Sequence, residues 1–347
     1  MRNSHVPLDL TIEVTRKCPL NCLICSSEGG LPYENELTTE QLRKIIRDAK
    51  ELGTRNICFS GGEPFEHPDI MQLCEYSKSM GLGIHVYTSG NARSKVNLLN
   101  PIDEGLLVRA KTSVDKIIVG LHGPTAEVHE SITCVSNSFK NAIASIERSV
   151  KQAIPVEVHF VPVRINHRSL PEMIELAKEL KVKKLSILRF VPQGRGRINK
   201  DLLSLEKAEI TSLKSLLAHM VLSQTPRVRM GAPFSVLGLS KARCTAGENR
   251  ATIRADGRVF PCEALKQMPC ARNDLHNHSL REIWEESEAF KEARTFASLA
   301  KKGRCSACNR FEKCGGGCHA QAMLLDKIPG DRSDPYCFEK EVALIYA

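Results

Sequence analysis

The sequence predicts an α/β fold in which parallel strands alternate with helices. Between residues 8 and 190, short apolar runs rich in β-branched residues alternate with longer segments of helical spacing. This alternation is typical of right-handed βαβ units, which place helices over a parallel sheet. At 347 residues, the chain is long enough for one large α/β domain with or without a smaller one. The six predicted strands fit either an open doubly wound sheet or an incomplete barrel, and periodicity does not separate these two.

The predicted elements follow one another in a regular order. Thr38 or Thr39 can cap the first helix, and Pro68 and Pro171 occupy positions that favour a helix start. Asp256-Gly257 is a turn signal inside a predicted hairpin. The strands are predicted at 8–14, 55–60, 83–88, 116–121, 155–163 and 184–190, and the helices at 38–52, 68–80, 101–110, 139–152, 170–180, 201–223 and 280–296.

Charge and hydropathy exclude several classes of protein. The formal net charge is +9, which indicates either an anionic partner or a basic solvated surface. The positive residues are scattered and aromatics are only 5%, so we do not expect a nucleic-acid-binding protein. There is no apolar run of membrane-spanning length, and Asp9 and Glu13 interrupt the segment where a signal peptide would be apolar. We therefore expect a cytoplasmic protein that does not bind membranes.

The chain contains 14 cysteines, which is the outlying feature of its composition. Disulfides are rare in cytoplasmic proteins, so metal or redox chemistry explains this number better. Three cysteines lie within residues 18–25, and seven more follow a second pattern between 244 and 337. The cysteines that belong to neither pattern are Cys58, Cys74, Cys134 and Cys270.

The first group, Cys18, Cys22 and Cys25, has the spacing C-x3-C-x2-C and follows the first predicted strand. Function in such folds lies at the carboxyl ends of the strands. Thiolates suit iron–sulfur clusters or zinc, but a structural zinc site needs four protein ligands. The loop has no fourth ligand, and the nearest candidates are Cys58 and His67. The pattern favours a four-iron cluster with one iron free of protein; structural zinc or unliganded thiols are the alternatives.

This spacing after a first strand resembles the signature of the radical S-adenosylmethionine (radical SAM) superfamily. The resemblance implies a partial (βα)6 barrel like that of TIM, and a [4Fe-4S] cluster whose open iron chelates the methionine part of S-adenosylmethionine. In that family, one electron splits the cofactor into methionine and a 5′-deoxyadenosyl radical, which abstracts a hydrogen atom from substrate. The cofactor carries this chemistry, and the protein supplies orientation and shielding.

A second family element is Gly61-Gly62-Glu63-Pro64, at the end of the second predicted strand. Glycines allow close approach of the backbone to a ligand, and a glutamate can accept from an ammonium group. Alone, this string would be an ordinary turn. It stands 36 residues after Cys25, at the next strand end, where the family holds the methionyl amine.

Other strand ends carry weaker candidates. Thr88 and Ser89 stand where the family often places a polar residue near the cofactor. Gly120 and His122 replace a serine and an aspartate that many relatives carry, so the contacts of those two residues cannot be assigned to this chain. A single histidine is more often packed in the protein than catalytic, which leaves His122 a weak candidate. Arg164 either pairs with the methionyl carboxylate or is an ordinary surface arginine.

The second cysteine pattern resembles the SPASM extension of radical enzymes. A generic zinc ribbon is the alternative, since C-x2-C pairs also serve zinc. Some relatives add a further cysteine before Cys244, and residues 230–242 contain none, so Cys270 is a possible substitute or a plain thiol. The resemblance implies two auxiliary [4Fe-4S] clusters, one held by Cys305, Cys308, Cys314 and Cys337 and the other by Cys244, Cys262 and Cys318.

The resemblance implies an oxidoreductase. A chain of clusters can accept electrons, so the expected reaction is crosslinking, dehydrogenation or decarboxylation of a peptide or protein. Enzymes of small-molecule or cofactor biosynthesis, acting on sugars, tetrapyrroles or antibiotics, are the alternative, because the barrel begins near residue 8 and leaves no room for an N-terminal peptide-recognition domain. A reduced flavodoxin or ferredoxin is the expected electron donor. A non-catalytic iron–sulfur carrier or regulator is the alternative from another class.

We expect three parts in the chain. Residues 1–200 form the predicted barrel, residues 201–243 a helical bridge, and residues 244–347 a small α+β SPASM domain. The Cys-, Gly- and Pro-rich segment 303–336 buries little apolar surface, so we expect it to need metal to fold.

Overall fold

Among the residues that the structure describes, the strands form one nine-stranded sheet and a separate two-stranded ribbon. The computed structural model describes residues 5–94, 96–220, 226–239, 243–268, 271–302, 305–324 and 333–337. The strands are β1 (Asp9–Thr15), β2 (Asn56–Gly61), β3 (Gly83–Thr88), β4 (Asn91–Arg93), β5 (Leu99–Pro101), β6 (Lys116–Gly120), β7 (Val156–Phe160), β8 (Lys184–Ile187), β9 (Arg227–Met230), β10 (Arg250–Ile253) and β11 (Val259–Phe260).

The order of strands in the sheet separates the two predicted architectures. It runs β11-β10-β1-β2-β3-β6-β7-β8-β9, and every pair is parallel except β10 with β11. From β1 to β9 the order follows the chain, whereas a doubly wound sheet reverses its direction at a switch point. The sheet is therefore wound in one direction, and the predicted partial barrel is confirmed.

Helices follow most of the strands, and successive helices α1, α2 and α3 pack against one another. None of the described helices combines the length and apolar character needed to cross a membrane. The helices are α1 (Thr39–Glu51), α2 (Ile70–Ser79), α3 (Glu104–Ser113), α4 (Ala126–Thr133), α5 (Ser138–Lys151), α6 (Leu170–Glu179), α7 (Arg195–Ile198), α8 (Lys200–Leu203), α9 (Lys207–Met220), α10 (Leu280–Glu286), α11 (Glu288–Lys302), α12 (Phe311–Cys314) and α13 (His319–Leu324).

The two faces of the sheet differ in polarity because side chains alternate along a strand. In β2, Ile57 and Phe59 are fully buried in the main hydrophobic core, together with Leu42 and Ile46 of α1. Cys58 projects from the opposite face, which also carries polar side chains of β3 and β7. The interior of the barrel is therefore polar, and the core lies between the sheet and the helices.

Local signals explain where several elements begin and end. Thr38 caps α1 in a capping box with Gln41, as the sequence predicted. Helix α4 was not predicted; Thr125 caps its start and Cys134 ends it with φ = 57°. That left-handed position favours glycine, so the backbone is strained at Cys134.

The region after β8 differs from its prediction in two ways. The expected helical bridge is helical only in part, because α9 is followed by β9, whose Val228 and Met230 alternate with arginines and extend the sheet. The helix predicted at 280–296 is broken at Ser287, which is extended between α10 and α11. The predicted hairpin is present as β10–β11, and β10 pairs with β1, so one sheet runs through both cysteine-containing regions. The division into three parts stays a prediction.

Candidate functional site

The loop that follows β1 brings Cys18, Cys22 and Cys25 together. The Cys18 N–H donates to the Gly30 carbonyl at 3.0 Å, and the Gly29 N–H donates to the Cys25 sulfur at 3.4 Å. Burial, and next the Glu63 carboxylate, raise the pKa of the Cys18 thiol to about 12, and Cys25 contributes in the same direction. Burial, then Cys25 and Cys18, raise the pKa of Cys22 as well. The Cys25 N–H also donates to the Cys22 carbonyl at 3.2 Å, so the three cysteines share one tight loop, and their thiols would have to lose their protons to bind a metal.

Arg195 holds this loop in place. In the sequence it is only one of many scattered positive residues. Arg195 Nε donates to the Cys22 carbonyl at 3.0 Å, and its Nη1 donates to the Gly29 carbonyl at 2.7 Å. Its backbone N–H donates to the Cys25 carbonyl at 3.0 Å. Gly194 precedes it with φ = 53°, and a Cβ there would come within 2.6 Å of that carbonyl oxygen. The glycine and arginine after β8 were the available signal.

Gly61 and Gly62 lie against the backbone that leads into the cysteine loop. A Cβ on Gly61, whose φ is 137°, would overlap the Thr15 carbonyl oxygen, and a Cβ on Gly62 would overlap that of Arg16. The Gly62 N–H donates to the Thr15 carbonyl at 2.7 Å. The structure thus shows these glycines in close approach to this backbone, and the predicted approach to a ligand stays a prediction.

Glu63 is fully buried and meets two other predicted residues. Its Oε1 accepts from Thr88 Oγ1 at 2.7 Å, and its Oε2 accepts from Ser89 Oγ at 2.6 Å and Ser89 N–H at 2.8 Å. Burial raises the pKa of Glu63 to about 7 against the opposing effect of these hydrogen bonds. Pro64 begins the short 3-10 turn that Glu63 caps through the Phe65 N–H. Thr88 and Ser89 therefore orient the carboxylate.

The inner wall of the barrel carries polar residues that the sequence analysis did not single out. The Tyr87 ring lies 5.3 Å from that of His159, and His159 Nε2 lies 3.0 Å from a carboxylate oxygen of Glu157. Burial, and next the Cys22 thiol, raise the pKa of Tyr87. In the sequence, these residues could have been recognised because they occupy alternate positions of β3 and β7, which place their side chains on one face of the sheet.

His122 lies close to the same wall. Its ring stacks on His129 at 5.6 Å, and burial lowers the pKa of His122 to about 4, so the imidazole is neutral at physiological pH. A Cβ on Gly120 would lie 3.2 Å from the Tyr87 hydroxyl and 3.9 Å from His122 Nε2. The phenol and the imidazole therefore converge where Gly120 has no side chain.

Arg164 is engaged elsewhere. Its Nη2 lies 3.0 Å from a Glu206 carboxylate oxygen, and its Nε lies 3.5 Å from one of Glu209. The side chain is 38% exposed. The structure thus gives Arg164 two carboxylate partners on its own chain and offers no support for its predicted role.

Two groups of thiols lie in the second cysteine region. Cys262 packs against the small apolar cluster that contains Cys318, and burial, then Cys244 and Cys318, raise the pKa of Cys262. Cys270 lies outside the described residues. Within the described residues, no three His, Cys, Asp or Glu side chains are placed to hold a single metal ion. The second group lines one pocket and consists of Cys305, Cys308, Cys314 and Cys337.

A buried lysine connects the two cysteine regions. Lys266, four residues after Cys262, lies 2.5 Å from Glu13 of β1 and donates to Ser27 Oγ at 2.7 Å. Only 2% of the lysine side chain and 5% of that of Glu13 are exposed. Because Ser27 directly follows the first cysteine loop, this contact fixes one region against the other.

Comparisons with known proteins agree with this arrangement. Residues 12–180 match the radical SAM superfamily, and residues 244–310 match SPASM, an iron–sulfur cluster-binding domain. The AdoMet-dependent heme synthase of Methanosarcina barkeri is 28% identical over 96% of this chain and 97% of its own length. The PqqA peptide cyclase of Rhizobium meliloti is 28% identical over 95% of this chain and 87% of its own. SuiB of Streptococcus suis, solved with the precursor peptide SuiA, superposes with a TM-score of 0.77 at 17% identity over 96% of this chain and 76% of its own.

The two matches cover both the first cysteine loop and part of the second cysteine region. Such enzymes use S-adenosylmethionine and iron–sulfur clusters, and their activity is that of a radical oxidoreductase. The chain belongs to the radical SAM superfamily and carries a C-terminal SPASM domain.

Proposed function

We propose that this enzyme holds one catalytic and two auxiliary [4Fe-4S] clusters and oxidatively modifies a peptide or protein. The observation that carries the proposal is the presence of ten cysteines in two spaced sets, of which the first lies beside Gly61–Pro64 at the strand ends of a partial barrel. A Cβ on Gly29 would lie 2.9 Å from the Cys18 Cβ and 3.2 Å from the Gly62 Cα. Thiolates in sets of three and four are the donors that four-iron clusters take.

Cys18, Cys22 and Cys25 would hold the catalytic cluster. When bound, this cluster supplies the electron that cleaves S-adenosylmethionine into methionine and a 5′-deoxyadenosyl radical. The chain's own contribution is to position its thiols. Arg195 donates hydrogen bonds to the loop carbonyls, and Gly62 allows the end of β2 to lie against the backbone that precedes the loop. Glu63, held by Thr88 and Ser89, is the group we assign to the methionyl amine.

The remaining seven cysteines would hold the auxiliary clusters. The cavity lined by Cys305, Cys308, Cys314 and Cys337 supports a complete four-thiolate site. Cys244, Cys262 and Cys318 form a three-thiolate site, whose fourth ligand we leave to substrate, water or Cys270.

The inner wall of the barrel is where we place the substrate. Tyr87 and His122 converge on Gly120, and His122 is uncharged at physiological pH because its pKa is lowered to about 4. These two side chains offer hydrogen-bonding groups without net charge beside the first cysteine loop. Removal of the Tyr87 hydroxyl should therefore affect product formation more than cofactor cleavage.

Two relatives support a peptide as substrate. One is named for cyclising the PqqA peptide, and SuiB was solved with its precursor peptide. A second candidate is a tetrapyrrole, because the heme synthase matches this chain over 97% of its own length. The electron donor we propose is a reduced flavodoxin or ferredoxin in the cytoplasm, where thiols stay reduced.

Anaerobic reconstitution tests the cluster assignment. We expect about twelve irons per chain for three four-iron centres, and 5′-deoxyadenosine when the reduced protein meets S-adenosylmethionine. Cys22→Ala and Cys25→Ala should abolish that product, and Cys134→Ser, at an exposed helix end, is the matched control. A reduced protein that never forms 5′-deoxyadenosine would instead be an electron carrier or regulator.

The substrate is tested by separate incubations of the reconstituted enzyme with precursor peptides encoded near its gene and with tetrapyrroles. Mass spectrometry should show loss of hydrogen from a peptide, dependent on S-adenosylmethionine. Turnover of a tetrapyrrole with no change in any peptide would reject the peptide assignment and leave the clusters standing.

A further inference from the structure

One buried ion pair lies between the two groups of thiols in the SPASM region. Arg189, two residues beyond β8, donates from Nη1 and Nη2 to the two carboxylate oxygens of Asp334 at 2.6 and 2.7 Å. Only 7% of the arginine side chain and 1% of the aspartate side chain are exposed. The Arg189 guanidinium also stacks on the Tyr336 ring at 4.3 Å. A two-point pair of this kind is specific in geometry and costly to break by removing one partner.

The side chain of Asp334 reaches one thiol group. The Cys318 N–H donates to its Oδ2 at 2.8 Å, so the carboxylate fixes the backbone of that cysteine. Gly317 has φ = 83°, and a Cβ there would overlap the Asp334 side chain.

The backbone of Asp334 reaches the other thiol group. Its carbonyl accepts from the Cys337 N–H at 3.0 Å, and its own N–H donates to the Gly316 carbonyl at 3.2 Å. Asp334 also lines the cavity around Cys305 and its partners. A single residue, anchored to the barrel by Arg189, therefore contacts the ligand segments of both proposed clusters.

We propose that the Arg189–Asp334 pair is a positioning device that couples the two auxiliary cluster sites to each other and to the barrel. The inference rests on the ligand assignment of the proposed function. Because both charges lie beside Cys318, the pair also sets the electrostatic environment of its cluster. Added electrons are favoured by a nearby cation and disfavoured by a nearby anion.

The test uses the reconstituted full chain with Asp334→Asn and Arg189→Met. Both should lose auxiliary iron, falling from about twelve toward about four irons per chain, with 5′-deoxyadenosine formation at the first loop retained. In molecules that keep the Cys318 cluster, its reduction potential should rise in Asp334→Asn and fall in Arg189→Met. Glu75→Gln is the control, since it removes the anion of another two-point pair, Arg109–Glu75, on the exposed helix surface.

The outcomes are distinguishable. Full iron and unchanged potentials in both variants would overturn the coupling while leaving the clusters in place. Loss of all iron together with the helical circular dichroism signal would mean a purely structural pair and would also overturn it. Cys318→Ala and Cys337→Ala address the proposed function separately: if they retain all twelve irons, the ligand assignment itself fails.

Discussion

The two cysteine regions of this chain are held in place by different means. The loop after β1 is fixed by the barrel, through the Arg195 guanidinium and through the backbone contacts that Gly62 permits. The second region contains Gly315, Gly316 and Gly317 in succession with positive φ. Parts of it pack on small apolar clusters, whereas Cys314 and Cys337 pack against the main core. We therefore expect the fold to organise the first site and a bound metal to stabilise the second.

The largest expected effect is on the first loop. Gly62→Ala should cost about 3 kcal/mol or more of stability, because its Cβ would overlap backbone oxygens that cannot move without displacing the loop. Thermal unfolding and 5′-deoxyadenosine formation measure it. The control is Gly30→Ala in the same loop, where a Cβ would meet nothing closer than 3.9 Å. Equal behaviour of the two variants would contradict a preformed loop.

Removal of iron tests whether the second cysteine region depends on its metal. In the iron-free protein, amide hydrogens of residues 305–324 should lose their exchange protection, because a cluster bound by the thiols of this segment would no longer hold it in place. Those of β2 and β3 should keep theirs because they lie in the main core. Hydrogen exchange with and without iron measures this. Retained protection in both regions would refute the difference.

Arg195 should have an intermediate effect confined to the first site. Arg195→Met removes two hydrogen bonds to the loop carbonyls and should lower catalytic cluster occupancy or 5′-deoxyadenosine formation about 10-fold or more. Arg197→Met, at an exposed neighbouring position, is the control. A loss of auxiliary iron in Arg195→Met would show that the two sites are not independent.

The smallest effect is expected at Cys134, outside both sites. Cys134→Gly should raise stability by about 1 kcal/mol, because the residue has φ = 57° and its side chain is exposed. Denaturant unfolding checks the sign. A destabilised variant would mean that a contact of the Cys134 thiol stabilises the protein by more than the left-handed backbone at this residue destabilises it.

Much of the fold could be predicted because each strand carries its own local pattern. The six strands β1, β2, β3, β6, β7 and β8 were all anticipated to within a few residues. Strand β9 was not predicted, because Arg227 and Arg229 alternate with its apolar residues and leave too short an apolar pattern to recognise. The pairing of β10 with β1 joins residues about 240 positions apart, and no local pattern reports such a contact.

What the sequence by itself determined about this protein is its donor set: cysteine spacings and the Gly61–Pro64 string are local, and ligand chemistry follows from residue type. Only the tertiary structure decided which groups meet. Arg195 reaches the first loop across 173 positions, Lys266 joins Glu13 across 253, and Arg189 joins Asp334 across 145. These contacts pair charges with partners that burial would otherwise leave unsatisfied, and that requirement appears only once the chain has folded.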